Sequence, residues 1–236
     1  MTSGAGDARR GVSVRSYRTS FGLDEDPISE GGIWLNGGKD GLDWPNVVTR
    51  NGLAHGAAST VVYTPALDAT SPRDQYGHPS ALYDDPTAIL AGEWGRNQYA
   101  KARVFSRNQT EECFQEVEIR LRSTITPHAC TGYEVFWSCR KTEKAYASIA
   151  RWNGKQQDWT ELGLLRGPQF GVEDGDLVEA TIVDNVIRSY INGVEVMSVT
   201  DDTFDSGSPG IGFNFGCGDT YVDHGLTHFE VDSSNS

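Results

Sequence analysis

Three stretches of the chain bring carboxylates, arginines and aromatic side chains into alternation: residues 112–122, 132–140 and 144–152. A strand sends successive side chains to opposite faces, so alternation assigns each residue a side. In the first stretch Val117, Ile119 and Leu121 make a core face and leave Glu116, Glu118, Arg120 and Arg122 on the other. In the second, Tyr133, Val135 and Trp137 suit the core, and Glu134, Phe136, Ser138 and Arg140 face out. In the third, Ala145, Ala147 and Ile149 suit the core, with Tyr146, Ser148 and Trp152 outward. If the three are consecutive antiparallel neighbours, the outward residues share one surface. Two carboxylates flanking a bond are what glycoside hydrolysis needs, one as acid and one as base or nucleophile; Glu118 and Glu134 are the candidates. An arginine with a tyrosine is instead a lyase pair, with Arg120 neutralising a uronate and Tyr146 moving the proton. Glu116, Phe136, Arg140 and Trp152 would then hold the substrate, since aromatic faces stack on sugar rings. The plainer alternative is a solvated face of cross-strand ion pairs, each stabilising by about 0.2–1 kcal/mol. A register slip of one residue would exchange the two faces.

Other chemistry-bearing residues are more scattered. His224 and His228 stand four apart near the C-terminus and should share a strand face, with Asp223 beside them. Three such ligands are one short of a closed zinc site. His55, His78 and His128 fall in turn-rich segments; His78 sits with Asp74, Gln75, Tyr76 and Tyr83 in a long irregular stretch, 61–85, that could cap a groove. A calcium ion takes six to eight oxygens, and Asp40 with Asp43, or the cluster Asp24, Glu25 and Asp26, could supply some of them. Cys113, Cys130, Cys139 and Cys217 form no C-x-x-C pair, which argues against zinc and leaves either two disulfides or buried thiols. Asn108 begins a glycosylation triplet.

The elements that must position these residues are strands. The clearest run is 175–215, which reads as four in a row: 177–183, 186–191, 194–200 and 211–215. Asn192-Gly193 is a two-residue hairpin signal, because a type I′ turn needs positive φ at both central positions. Further strands are expected at 87–90, 98–105, 159–165 and 221–231, the last at an edge or beside the first strand. Asn153-Gly154 reads as another turn. No stretch holds a helical period, and short strands at regular spacing with turn signals between them predict an all-β sandwich or barrel. Residues 1–18 read as a flexible arm or a poorly paired first strand, and 19–236 as a single domain. Acidic residues number 33 against 20 basic, for a net charge of −13. That disfavours nucleic acid as a partner, and no run of 18 apolar residues exists to insert in a membrane. No signal peptide is visible at the N-terminus.

On Gly132-Tyr133-Glu134, Arg151-Trp152-Asn153-Gly154 and the run Gly175-Asp176, Ala180, Ile187, Tyr190, Asn192-Gly193, Val199, Asp201, Gly207 and Pro209-Gly210, the chain resembles the concanavalin A-like lectin/glucanase superfamily. More narrowly it resembles laminin-G-like modules of secreted bacterial proteins. The resemblance implies a jelly-roll sandwich with sugars bound on the concave outer face of one sheet, a polysaccharide or oligosaccharide as partner, an extracellular or cell-surface location, and a structural calcium in some relatives. It leaves a glycan-binding protein, a hydrolase or lyase, and a calcium-dependent interaction domain all open. The Glu-x-Asp-x-x-Glu strand of laminarinase-type hydrolases and the Gln-x-His strand of alginate-lyase-like members are both absent.

Overall fold

The computed structural model describes residues 15–37, 39–40, 44–57, 85–107, 115–155, 158–215 and 223–235. Fifteen strands appear among them: β1 Arg15–Thr19, β2 Trp34–Asn36, β3 Val47–Arg50, β4 Leu53–Gly56, β5 Thr87–Leu90, β6 Asn97–Ser106, β7 Gln115–Thr126, β8 Ala129–Ser138, β9 Tyr146–Gly154, β10 Trp159–Arg166, β11 Leu177–Val183, β12 Val186–Ile191, β13 Val194–Thr200, β14 Ser208–Phe215 and β15 His224–Ser234. They form two antiparallel sheets. One is eight-stranded, in the order β13-β12-β11-β6-β15-β4-β3 with β1 also on β15; the other is seven-stranded, in the order β10-β9-β8-β7-β14-β5-β2. This is an all-β jelly-roll sandwich of two antiparallel sheets.

The inner faces meet in one hydrophobic core. Val117, Ile119 and Leu121 of β7, Tyr133, Val135 and Trp137 of β8, and Ala147 and Ile149 of β9 pack against Ala102, Val104, Val178, Ala180, Phe229 and Val231 of the other sheet. The alternation in the sequence therefore assigned the inward set of all three strands correctly. Burial of this apolar surface drives the two layers together.

Local turn chemistry explains most of the connections. Asn192 and Gly193 have φ of 51° and 77°, and the side chains of Asn192 and Asp176 tie the hairpin back to the start of β11. Asn51-Gly52 makes the same kind of two-residue turn between β3 and β4, with φ of 52° and 76°. Asn153-Gly154 does not turn: both residues still pair with β8, through Thr131 and Cys130, and the chain reverses only after them. Gly154 has φ of 135°, so its glycine serves an extended kink at the strand end.

Further expectations are narrowed or change. Of residues 1–18, read as a flexible arm or a poorly paired first strand, 15–18 lie in β1, which pairs with β15 from Arg15↔Ser233 to Thr19↔Phe229. β15 is accordingly the partner of the first strand but an interior strand, flanked by β6 as well. A register shift between Leu226 and His228 breaks the alternation there, so His224 and His228 do not share a face. His224 is buried against the Phe213 ring, and His228 lies outside beside Glu230. A shift between Leu121 and Thr124 likewise turns Arg122 off the outer face of β7. It donates instead to the carbonyls of Arg96, Phe204 and Asp184 and closes the end of the sandwich. Finally, Cys130 and Cys139 are buried thiols, not disulfide partners; Cys113, Cys217 and Asn108 lie outside the described residues.

Candidate functional site

The seven-stranded sheet places the outward residues of β7, β8 and β9 side by side. Arg120 stands directly opposite Glu134, Glu118 opposite Phe136 and Glu116 opposite Ser138. On the other flank of β7, Asn214 stands opposite Glu116, and Gly212 opposite Glu118. On the far flank of β8, Ala150 adjoins Glu134, and Ser148 adjoins Phe136. β10 completes the surface with Trp159 opposite Trp152 and Arg166 opposite Tyr146.

This outer face is not a solvated one. Arg120 has no exposed surface, and Glu116, Glu118 and Glu134 are 6%, 1% and 5% exposed. The cause is a cover built from outside the three strands. Trp44, arriving from the segment between β2 and β3, packs on Trp152 with ring centroids 4.5 Å apart, and Cys130 and Ile125 complete that cluster. Asp85, just before β5, reaches in beside Arg120. The Arg120 guanidinium lies 5.6 Å from the Trp44 ring centroid and 5.5 Å from that of Trp152, within cation–π range.

Arg120 is the hub. It pairs with Asp85 at 2.8 Å, Glu118 at 2.9 Å and Glu134 at 2.8 Å. The Trp152 indole donates to Glu134, and the Tyr146 hydroxyl donates to Glu116. One guanidinium cannot balance this many buried carboxylates. Burial pushes Asp85 up to about 8, with the charges of Glu134 and Glu116 adding to it and Arg120 opposing. Burial pushes Glu116 up to about 7, against the Tyr146 hydrogen bond, and holds Glu118 well above the usual carboxylate range, with Glu134 and Asp85 adding to it. Arg120 itself loses to burial but gains more from Glu134, Asp85 and Glu118, which keep it charged. Tyr146 is raised by burial and by the neighbouring Glu116 charge.

A cleft of about 210 Å³ opens over this network. Its lining includes Asp85, Glu116, Glu134, Phe136, Tyr146, Ser148, Ala150, Trp152, Trp159, Glu161, Leu164, Arg166 and Asn214. Of the residues singled out from sequence, Glu116, Glu134, Phe136, Tyr146 and Trp152 therefore meet in one place. Glu118 and Arg120 lie beneath it and do not reach the opening. Arg140 is buried behind the Tyr146 ring, 5.9 Å from its centroid, and donates to the Lys144 carbonyl. His78 and Asp43 lie outside the described residues. Asp40 is away from the cleft, where its carboxylate accepts the Asn36 amide. Asp24 and Glu25 likewise accept backbone amides, of Asn51 and of Ser29 and Glu30.

Sequence reasoning missed Asp85, Trp44 and the β10 wall. Asp85 and Trp44 come from turn-rich segments where no period assigns a side. The β10 residues carried a usable signal: Trp159 and Glu161 alternate outward, and a bulge between Glu161 and Gly163 shifts the phase so that Leu164 and Arg166 follow. Asp85, Glu118 and Glu134 offer oxygens within 4.8 Å of one another, the spacing a cation needs. The Arg120 guanidinium already bonds all three, so the cation in this cluster is arginine.

No protein-family model matches the chain, and no curated protein matches it. Solved structures do match. The chain is similar to a carbohydrate-binding module from Bacillus subtilis at 8% identity, over 89% of this chain and 96% of that one, with a TM-score of 0.51. It is similar to beta-agarase B from Zobellia galactanivorans at 10% identity, over 97% and 96%, with a TM-score of 0.54. It is similar to an endo-beta-1,3-glucanase from Pyrococcus furiosus at 12% identity, over 93% and 94%, with a TM-score of 0.52. Likenesses at 8% to 12% identity concern the fold, so these structures identify the chain as a jelly-roll β-sandwich and leave its activity to be argued from the cleft.

Proposed function

We propose that the protein recognises a polysaccharide or oligosaccharide in the cleft of its seven-stranded sheet. The observation that carries this reading is the lining. Trp152, Trp159, Phe136 and Tyr146 present aromatic surface beside the carboxyls of Glu116, Glu134 and Asp85 and the amide of Asn214. Aromatic rings stack on the apolar faces of sugars, and carboxylates and amides accept or donate to their hydroxyls. The folds it is similar to include a carbohydrate-binding module and two glycanases, which supports the reading. On this reading the protein works outside the cell or at its surface, where polysaccharides are met.

Retention on a panel of immobilised polysaccharides tests it. Trp159 is 44% exposed at the cleft rim, so Trp159→Ala should leave folding intact. It should weaken binding about tenfold, the equivalent of about 1.4 kcal/mol. Unchanged binding by this variant, or no binding to any glycan by the parent, would remove the reading.

One observation favours cleavage as well as binding. Glu116 and Glu134 line the same cleft in opposite environments. Burial raises Glu116 to about 7, against the Tyr146 hydrogen bond, while Glu134 pairs with the Arg120 cation and accepts from the Trp152 indole. A carboxyl raised toward neutrality suits the general acid of such a pair. Glu116 would protonate the glycosidic oxygen as it leaves, and Glu134 would attack the anomeric carbon or activate a water. Release of reducing ends that stops in both Glu116→Gln and Glu134→Gln is the expected result. The lyase arrangement has less support, because Arg120 is enclosed by three carboxylates and cannot meet a uronate.

A further inference from the structure

The Glu116 carboxyl is gripped from both flanks of β7. On one side the Tyr146 hydroxyl, reaching across from β9, donates to its Oε1. On the other the side-chain amide of Asn214, directly opposite Glu116 on β14, bonds the same carboxyl. Tyr146 is anchored in turn. Its backbone amide donates to the Ser138 hydroxyl at 2.9 Å, and that hydroxyl donates to the Tyr146 carbonyl at 3.2 Å. Phe136 meets its ring edge-on at a centroid distance of 6.3 Å, and the guanidinium groups of Arg140 and Arg166 each lie 5.9 Å from its centroid. The ring is thus positioned by contacts that do not involve the hydroxyl, and the hydroxyl is committed to Glu116.

A hydroxyl donates to a carboxylic acid or to a carboxylate, and the bond to the charged form is the stronger. Burial and the neighbouring Glu116 charge hold the Tyr146 hydroxyl well above the ordinary tyrosine range, so it keeps its proton and serves as a donor, not as a base. When Glu116 acts as an acid, its O–H bond breaks and the proton passes to the glycosidic oxygen. The bond from that oxygen to the anomeric carbon breaks, and its electron pair leaves on the oxygen. Glu116 remains as a carboxylate in a buried site. Donors already aimed at it gain strength as that charge forms, which is the condition for lowering a barrier. Resting on the cleavage reading of the cleft, we propose that Tyr146 is a positioning residue for this step: its hydroxyl fixes the Glu116 carboxyl and stabilises the charge that develops there. Asn214 serves the same end from the β14 side.

Tyr146→Phe keeps the ring and removes only the hydroxyl, and its melting temperature verifies that it folds. In the whole ligand-free chain, the carboxyl carbon resonance of Glu116, assigned by its loss in Glu116→Gln, should titrate at about 7 in the parent. In Tyr146→Phe it should titrate about one pH unit higher, because a donor to the charged form is gone. On a panel of neutral polysaccharides, β-1,3-glucan and agarose among them, kcat for release of reducing ends should fall at least about tenfold in the variant with KM nearly unchanged. The basic limb of its pH profile should move up in step with the titration. An unmoved titration and limb, or a loss confined to KM, would overturn the inference and leave the cleavage reading standing. Absence of reducing ends from the parent on every glycan would remove both.

Discussion

Arg120 bonds Asp85, Glu118 and Glu134 from a position with no exposed surface. Breaking a buried ion pair by removing one partner strands the other charge and typically costs about 3–5 kcal/mol. Arg120→Met should therefore lower stability by that order in a denaturant titration at pH 7. The native chain should itself respond to pH. Asp85 and Glu116 are raised in the folded state to about 8 and about 7, above their unfolded values, so the folded protein binds more protons than the unfolded chain. Their stabilising contribution is complete below the ordinary carboxylate range and is lost progressively as pH rises to about 7 for Glu116 and about 8 for Asp85, at up to about 1.4 kcal/mol per pH unit for each group. The melting temperature should fall between about pH 5 and pH 8 and level off above, and the double variant Asp85→Asn, Glu116→Gln should flatten that fall. At this scale much of the site was legible. Alternation alone placed Glu116, Glu134, Phe136, Tyr146 and Trp152 on one face. It could not show that the face is covered, because the cover comes from Trp44 and Asp85, whose irregular segments carry no periodicity. That cover decides which carboxylate is presented: Glu116 and Glu134 line the cleft, while Glu118 is sealed beneath it.

Strands keep this network in register, and small residues give it room. A Cβ on Gly212 would stand 2.1 Å from a Glu118 carboxyl oxygen and 3.2 Å from the Arg120 Nε. β14 must therefore be bare at this point for the ion pairs of β7 to form. Gly212→Ala should cost about 1–3 kcal/mol through overpacking, and it should disturb Arg120 before it disturbs the core, with glycan binding lost in a protein that still melts cooperatively. The meander of β11, β12 and β13 was the most readable part of the chain, since two-residue turns and period-two alternation leave little freedom. Bulges were the unreadable part. An extra residue changes the phase of a strand without changing its composition, and this is why Arg122 turned to the end of the sandwich and His228 to the outer surface. Asn153-Gly154 shows the same limit from the other side: a dipeptide suited to a turn was used inside a ladder.

The whole molecule divides its labour between two sheets. The eight-stranded sheet closes the core with Ala102, Val178, Ala180 and Phe229. The seven-stranded sheet carries the same core on its inner face and a buried polar network with a cleft on its outer one. Turn spacing and strand count showed an all-β sandwich or barrel, and the resemblance narrowed it to a jelly-roll. The cleft could be anticipated as a surface, but its depth and charge balance needed the packing of segments distant in sequence. The central claim is that this outer face is a glycan-binding cleft. Its most direct measurement is the affinity of the intact chain and of Trp159→Ala for a polysaccharide panel, with melting temperatures taken in parallel. The account predicts retention of the intact chain on at least one glycan and about tenfold weaker retention of the variant at unchanged melting temperature. Equal retention of the two proteins, or no retention of either, would contradict it.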